Sequence, residues 1–527
     1  MPDLQEEFDA AIIGSGHNSL VCAAHLQIKG WRTAIFEQAP VPGGAVKTLE
    51  LTEPGFRHDW AAMNLSLFAG SAFNRNYGEK LGSHGLEFVP APNCFASVFP
   101  DGHWLGVGTD MDATLKRISQ FSAADADTWA ALVSAFPEKA EYIFALLGSP
   151  MKMHIMGRLV AKALWKKGFA WTADLARLLI ASPRSWLNET FQSEHVRATL
   201  GAWGMHLDFA PDIAGGAIFP YLESMANQSF GMVIGKGGAD TMTNALVELV
   251  EANGGQVRCG NTVKKILQSG SKASGIELAD GTQIGASRAV IANISPKNLA
   301  ELVEDGTGDA GFDRSMAGFS HAPGTMMIHL ALSGLPEWKA SNELQTFAYV
   351  HLAPSLDQMA RTYQQAIAGH LPDEPVIVVG QPTTVDPSRA PEGKHVLWVQ
   401  VRMVPASIAG DAKGEITEHE WEKAKETFAD RVLDIIEDYA PGLRRQIVAR
   451  HVDSPLDLQA DNPNLVGGDQ ICGSHHLTQH FLFRPARGYS SGDTPLKGLH
   501  LTGAAVWPGA GTGAGAGYLL AQKLAGA

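Results

Sequence analysis

The first apolar run, residues 8–13 (FDAAII), is short enough for a buried strand and is bounded by glycine. Past Gly14-Ser15-Gly16 the apolar positions take helical spacing from Leu20 to Ile28. Gly30 stops that helix, and Arg32 to Phe36 return to a strand pattern. Strand, glycine turn, helix and strand in such a short span form a βαβ unit. Between 85 and 110 short strands dominate, and Pro100-Asp101-Gly102 marks a hairpin between CFASVF and HWLGVG. Residues 111–225 read as helical and are rich in Trp, Met and Leu. GKGGAD (235–240) then opens a helix running to Ala252. Short strands around Val257 and Val263 follow, with a second hairpin at Ala279-Asp280-Gly281 and a buried strand at 289–292. Residues 325–405 are expected to be mostly β, in strands such as TMMIHLAL and VLWVQVRMV. The clearest helical pattern covers 418–439. Thr417 and Glu420 suggest a capping box, Trp421, Phe428, Val432, Ile435 and Tyr439 share a face, and Pro441-Gly442 ends it.

A chain of 527 residues exceeds one ordinary core, and no low-complexity linker divides it, so interleaved domains are expected. The formal charge of −14 argues against a nucleic-acid partner. Cys22, Cys94, Cys259 and Cys472 are widely scattered, which suits reduced thiols in a cytoplasmic protein. The acidic start MPDLQEEFDA lacks the layout of a secretory signal, and no apolar run reaches the length of a membrane span.

The turn Gly14-x-Gly16-x-x-Ser19 sits where a strand meets a helix, the place for a bound pyrophosphate. Glu37 ends the second strand, where its carboxylate can accept ribose hydroxyls. Gly43 and Gly44 suit close backbone approach to the same cofactor. The last segment, GLHLTGAAVWPGAGTGAGAGYLLAQKLAGA, reads as strand, glycine-rich turn and helix. Gly509-x-Gly511-x-x-Ala514 formally repeats the fingerprint, but the strand and acid of a second unit do not follow. A glycine-rich helix start returning to the first unit suits the far end of a long dinucleotide, which points to FAD over NAD.

The motifs IIGSGHNSLVCAA, VPGGAVKT, PGFRHDW, GKGGADTM, DNPNLVGGD, FRPARGY and LHLTGAAVWPGAG resemble the phytoene (carotenoid) desaturase-like FAD-dependent oxidoreductases, in their phytoene dehydrogenase-related branch. The resemblance implies an α/β fold of amine-oxidase/phytoene-desaturase type. A Rossmann-like FAD domain (1–70, 225–300, 490–527) would interleave with an α+β substrate domain (71–224, 301–489). That substrate domain would combine a mixed sheet with a helical cap, residues 111–224. It also implies that Val263 touches the adenine through its backbone and that Gly503, Pro508, Gly511, Gly513 and Ala514 pass beside the isoalloxazine. Relatives usually carry Gly at Ser19 and His-Pro where this chain has Trp507-Pro508. An indole beside the flavin would replace a titratable group with a flat apolar wall.

His58 and Asp59 are candidates for a substrate-orienting pair, with strand support as the competing reading. Tyr221 and Glu223 are candidates for the channel wall, and Trp507 completes the cleft candidates. His475, His476 and His480 lack a further ligand with metal-site spacing, so no metal is expected. Arg484 reads as a structural clamp near the cofactor. Residues 151–187 hold Lys152, Arg158, Lys162, Lys166, Lys167, Arg177 and Arg184 against Asp174 alone, interleaved with Trp165, Phe169, Trp171 and Trp186. That pattern suits peripheral contact with a membrane surface, or simply an outer helical face. The leading activity is desaturation of a C–C bond in a small apolar substrate, in one form next to a carbonyl. Hydride would pass to FAD and electrons on to O2 or a quinone. A redox-neutral isomerase or saturase and an amine oxidase are the alternatives.

Overall fold

A computed structural model describes residues 5–526. Its two large sheets are each assembled from distant parts of the chain. In the first, the central strand Glu6–Ile13 lies parallel to Thr33–Phe36 on one side and Gln283–Ala292 on the other. Gln256–Arg258 extends the sheet beyond Thr33–Phe36, and the hairpin partners Lys272–Leu278 and Val263–Ser269 extend it beyond Gln283–Ala292. The late strand Leu499–Leu501 pairs parallel to Gln283–Ala292, which brings the C-terminal segment back to the first turn. Strands covered on both faces need continuous apolar runs, and TAIF at 33–36 is buried throughout.

Three helices from different parts of the sequence share one apolar cluster on this sheet: His17–Ile28, Asp240–Ala252 and Gly515–Ala525. The first and last cross very closely. A Cβ placed on Gly517 would lie 2.0 Å from the Asn18 carbonyl oxygen, so only glycine permits this approach.

The second sheet runs Ile447–Asp453, Gly324–Leu332, His395–Val404, Val376–Gly380, Tyr349–Leu352, Asn93–Val98, Trp104–Gly108. Its central strands feed two cores. Ile328, Leu330, Val399 and Val401 face the helix Trp421–Tyr439, while Met327, Val378 and Trp398 face the helical cap. The cap comprises Met111–Ser119, Ala123–Leu147, Met153–Ile180, Pro183–Thr190, Glu194–Met205 and Ile218–Phe230. Between Tyr349–Leu352 and Val376–Gly380 lies the helix Leu356–Ile367, inside the region expected to be mostly β.

The expected capping box at Thr417 does not form. The helix begins at Trp421 with Glu420 at its N-cap and no side-chain cap, and the Thr417 N–H donates to Glu418 instead. Burial of Trp421, whose Nε1 donates to the Pro405 carbonyl at 3.0 Å, sets the start. The buried face centres on Phe428, Val432 and Ile436, with Ile435 and Tyr439 at its edge. Among the described residues no helix is long and apolar enough to cross a membrane.

Candidate active site

A cleft of about 430 Å3 opens at the C-terminal ends of the parallel strands, where open α/β sheets bind ligands. Gly14, Gly16, Glu37, Gly43, Gly44 and Val263 line it, together with Ala510, Gly511 and Thr512 from the C-terminal loop. The two glycine turns meet through a bridge between Gly16 and Gly43. A Cβ on Gly16 would come within 2.9 Å of the Asn293 Nδ2, so the wall is as close as backbone allows. The helix behind it starts with Gly16 as N-cap and has no acidic residue in its first turn, so its positive end stays uncompensated. Glu37 is fixed by three donors: the Ser15 N–H (2.7 Å), the Ser15 hydroxyl (2.8 Å) and the Ala39 N–H (2.9 Å).

Several residues that frame this cleft were not singled out by the sequence, although His17, Lys47 and Asp461 lie within its motifs. His17 begins the helix and its Nε2 meets the Gly511 carbonyl at 3.1 Å, tying the first glycine turn to the last. Burial lowers its pKa to about 4, so the ring is neutral at physiological pH. Asn293 packs between Gly14, Gly16 and Gly503. Lys47 pairs with Asp461 and lies 4.1 Å from the Trp60 ring, closing one side.

The other expected positions lie behind the cleft wall. Ser19 sits in the first helical turn, its N–H bonded to the Gly16 carbonyl and its hydroxyl buried without a partner. Gly503, Pro508, Gly513 and Ala514 belong to the loop that carries Ala510–Thr512, with Ala514 at the N-cap of the last helix. Arg484 is wholly buried and donates to the carbonyls of Cys472, Gly473, Ser474 and Ala504, which makes it the clamp under that loop. Alongside, His475 Nε2 accepts the Ala510 N–H at 3.0 Å.

The four cleft candidates occupy different settings, and His58 and Asp59 take the strand-supporting one of their two expected roles. Asp59 is buried against Arg389 at 2.8 Å and also accepts the Ala239 N–H and the Thr48 hydroxyl. It therefore ties its strand to the GKGGAD turn. His58 is buried against His329, bonded to Thr52, with its pKa lowered by burial to about 3. Tyr221 lies in the cap core, edge-on to Phe136 and Trp186. Trp507 turns away from the cleft: its Nε1 donates to the Ser149 carbonyl at 3.0 Å, and its ring packs on His480 and Phe481. Its polar end needs a buried acceptor, and the cap connection supplies one.

Glu223 is the group the cap does present. The helix Ile218–Phe230 is buried through Gln228 except at Phe219, Glu223 and Ala226, which share one face. Phe219 stacks on Phe209 at 4.9 Å, and Phe209 adjoins His476. The Glu223 carboxylate has no hydrogen bond or ion pair among the described residues, and burial pushes its pKa up to about 7. Its charge reaches Tyr349, whose hydroxyl also meets the Asn64 backbone. Asn64 in turn accepts a hydrogen bond from Thr512 Oγ1 at 3.2 Å, in the loop lining the cleft. These contacts link the cap carboxyl to the C-terminal end of the dinucleotide cleft.

The profile of the flavin-containing amine oxidoreductases matches residues 20–509. The chain belongs to that family. It is 29% identical to the pyridine nucleotide-disulfide oxidoreductase domain-containing protein 2 of Mus musculus, across 98% of this chain and 92% of the relative. It is 23% identical to a lycopene-forming phytoene desaturase of Pseudescherichia vulneris, across 95% of both chains. Among solved structures, an oxidoreductase from Methanosarcina mazei superposes with a TM-score of 0.63 at 18% identity, covering 98% of this chain and 99% of the other. This chain is thus a flavin-dependent oxidoreductase with FAD as its cofactor, similar along its length to phytoene desaturases. The cleft suits FAD: an uncompensated helix N-terminus for the diphosphate, a fixed carboxylate for ribose, and a glycine loop opposite.

Proposed function

We propose that the enzyme removes two hydrogens from adjacent carbons of an apolar organic substrate, next to a carbonyl where one is present, and forms a C=C bond. Bound FAD supplies the hydride acceptor. Gly14, Gly16, Gly43 and Gly44 hold the diphosphate by their backbone, Glu37 takes the ribose, and Val263 flanks the adenine. Ala510, Gly511 and Thr512 frame the redox end, with Gly503 and Pro508 holding that loop from behind, and the loop from Gly513 to Ala514 sets the helix behind it. Electrons leave to O2 or a quinone.

The observation carrying this reading is the unpaired carboxyl of Glu223 on an otherwise apolar cap face, within electrostatic reach of Tyr349, whose hydroxyl meets the Asn64 backbone. Loss of a hydride from one carbon must be matched by loss of a proton from its neighbour. A carboxyl lifted to about 7 can hold that proton at its Oε atom and release it at neutral pH. Phe219, on the same helix face and backed by the buried Phe209 ring, gives the substrate a flat apolar surface beside it. The phytoene desaturase match over nearly the whole chain supports carbon as the site of oxidation. The family's amine chemistry supports a second reading, in which Glu223 pairs with a substrate ammonium and a C–N bond is oxidised.

Anaerobic mixing of the yellow enzyme with saturated apolar compounds and with amines separates the two. Bleaching by the former, with an alkene as product, is expected; bleaching by amines alone would overturn carbon desaturation. Turnover of an alkene isomer without net reduction would establish the redox-neutral alternative.

A further inference from the structure

The basic run of residues 151–187 changes meaning once its contacts are known. Lys162 pairs with Glu141, Lys167 with Glu138, Arg177 with Glu189, and Arg184 with Asp212 and Asp357. Those charges serve the cap internally. The outer face of the same helix, Met153–Ile180, is left over, and it is apolar. Met153 is 71% exposed, Trp165 84% and Phe169 80%, with Val160 and Leu164 also open to solvent.

Helical spacing gathers these side chains. Met153, Val160 and Leu164 fall within a narrow stripe, and Trp165 lies further round the same exposed half of the helix. The more buried positions Ile155, Leu159 and Ala163 occupy the other half. Gly168 interrupts the helix with φ 83° and ψ 175°, so Phe169 follows a bend rather than a straight continuation. No acidic residue occurs from 151 to 173, and Lys152, Arg158 and Lys166 make no ion pair among the described residues. An exposed apolar stripe with Trp, edged by solvent-facing cations, is the arrangement of a helix lying in a lipid headgroup layer. A protein of charge −14 that presents an acid-free, basic stretch on such a face has local charge complementary to an anionic surface.

The base of this helix also touches the flavin end of the enzyme. Trp507 donates to the Ser149 carbonyl, and the Ser490 hydroxyl to the Met151 carbonyl at 3.0 Å. A surface that receives lipid at Met153 therefore adjoins the loop carrying Ala510–Thr512.

We propose that the outer face of Met153–Phe169 docks on an anionic lipid bilayer, with Trp165 and Phe169 in the headgroup layer and Arg158 and Lys166 on lipid phosphates. The inference stands apart from the choice of substrate, and its test requires none. The flavin-loaded full chain is mixed with phosphatidylcholine vesicles and with vesicles of phosphatidylcholine and phosphatidylglycerol, and bound flavin is measured after flotation. Binding to the anionic vesicles is expected, weakening with salt. W165S/F169S should lower the bound fraction about tenfold or more at constant lipid, since two aromatic side chains supply most of the inserted area. R158E/K166E should remove the preference for anionic vesicles. Both variants change exposed side chains and should keep full flavin content, which reports that the fold is intact. Equal vesicle binding by W165S/F169S and the parent would overturn the proposal. So would failure of the yellow parent to bind vesicles. A concentration-dependent dimer abolished by W165S/F169S, with no vesicle binding, would make the face a contact between copies of the chain instead.

Discussion

The dinucleotide cleft and the cap that faces it are built on different principles. The cleft is made of backbone: glycine turns, a bare helix N-terminus and one carboxylate held by three donors. The cap side is made of buried side chains whose ionisation burial has altered, among them His206, His351, Glu223 and Tyr349. A backbone site tolerates change in its neighbours but not in its glycines. A side-chain site depends on every partner, and between the two stands a buried ionic knot at Asp59.

That knot gives the largest expected effect. Arg389 is fully buried and bonds Asp59, Asp386 and the Gly235 carbonyl. Arg389→Ala leaves two buried carboxylates without their cation and should cost about 3–5 kcal/mol of stability. Urea unfolding measures it. A loss below about 1 kcal/mol would fit only an exposed pair and would return Asp59 to a role in the cleft.

Glu223 tests the cap side next. Its folded pKa, about 7, lies above the ordinary 4.5, so the folded state holds the proton more tightly than the unfolded state. The protonated carboxyl favours folding below pH 4.5, and that advantage is lost as pH rises through 7. Glu223→Gln cannot ionise, so the variant and parent should match near pH 4. At pH 8 the variant should be more stable by about 2–3 kcal/mol. Thermal denaturation across this range reads the difference. A pH-independent gap would mean that Glu223 is as solvated as a surface acid.

Glu37 probes the cleft itself. Glu37→Ala removes the acceptor proposed for the ribose and also strands the Ser15 and Ala39 donors. A loss of roughly 1–3 kcal/mol in FAD binding, or about tenfold or more in Kd, is expected. Fluorescence titration of the apoprotein with FAD checks it. Unchanged affinity would place the ribose elsewhere.

The contrast also explains what could be read from the sequence. Gly14, Gly16, Glu37 and the C-terminal glycine run announce the cleft because a phosphate turn demands particular residues at short, fixed spacing. The strands of the two sheets were legible for a similar reason, since apolar runs and Asp-Gly turns are local signals. His17, Asn293 and the Lys47–Asp461 pair were not, because their roles come from residues hundreds of positions away. The basic run at 151–187 was only partly legible in the same way: the acids that pair with Lys162, Lys167 and Arg177 lie on neighbouring elements. For Asp59 and His58 the sequence left orienting pair and strand support open, because the burial and long-range partners that tie them into the strand are not local signals.

Trp507 shows the limit most directly and carries the smallest expected effect. The motif around Pro508 places this residue in the flavin loop, but a side chain's direction depends on backbone turns that spacing does not specify. Its Nε1 bonds the Ser149 carbonyl and its ring covers His480, so it joins the cap connection to the loop from behind. Trp507→Phe keeps most of the ring contact and removes that hydrogen bond. The expected cost is about 1 kcal/mol, a small drop in Tm. Flavin content should be unchanged, and reduction by any substrate that bleaches the parent should proceed at the parent rate. A sharp slowing of reduction with normal stability would instead put the indole against the substrate, and the backbone-built cleft would then end in a side-chain wall.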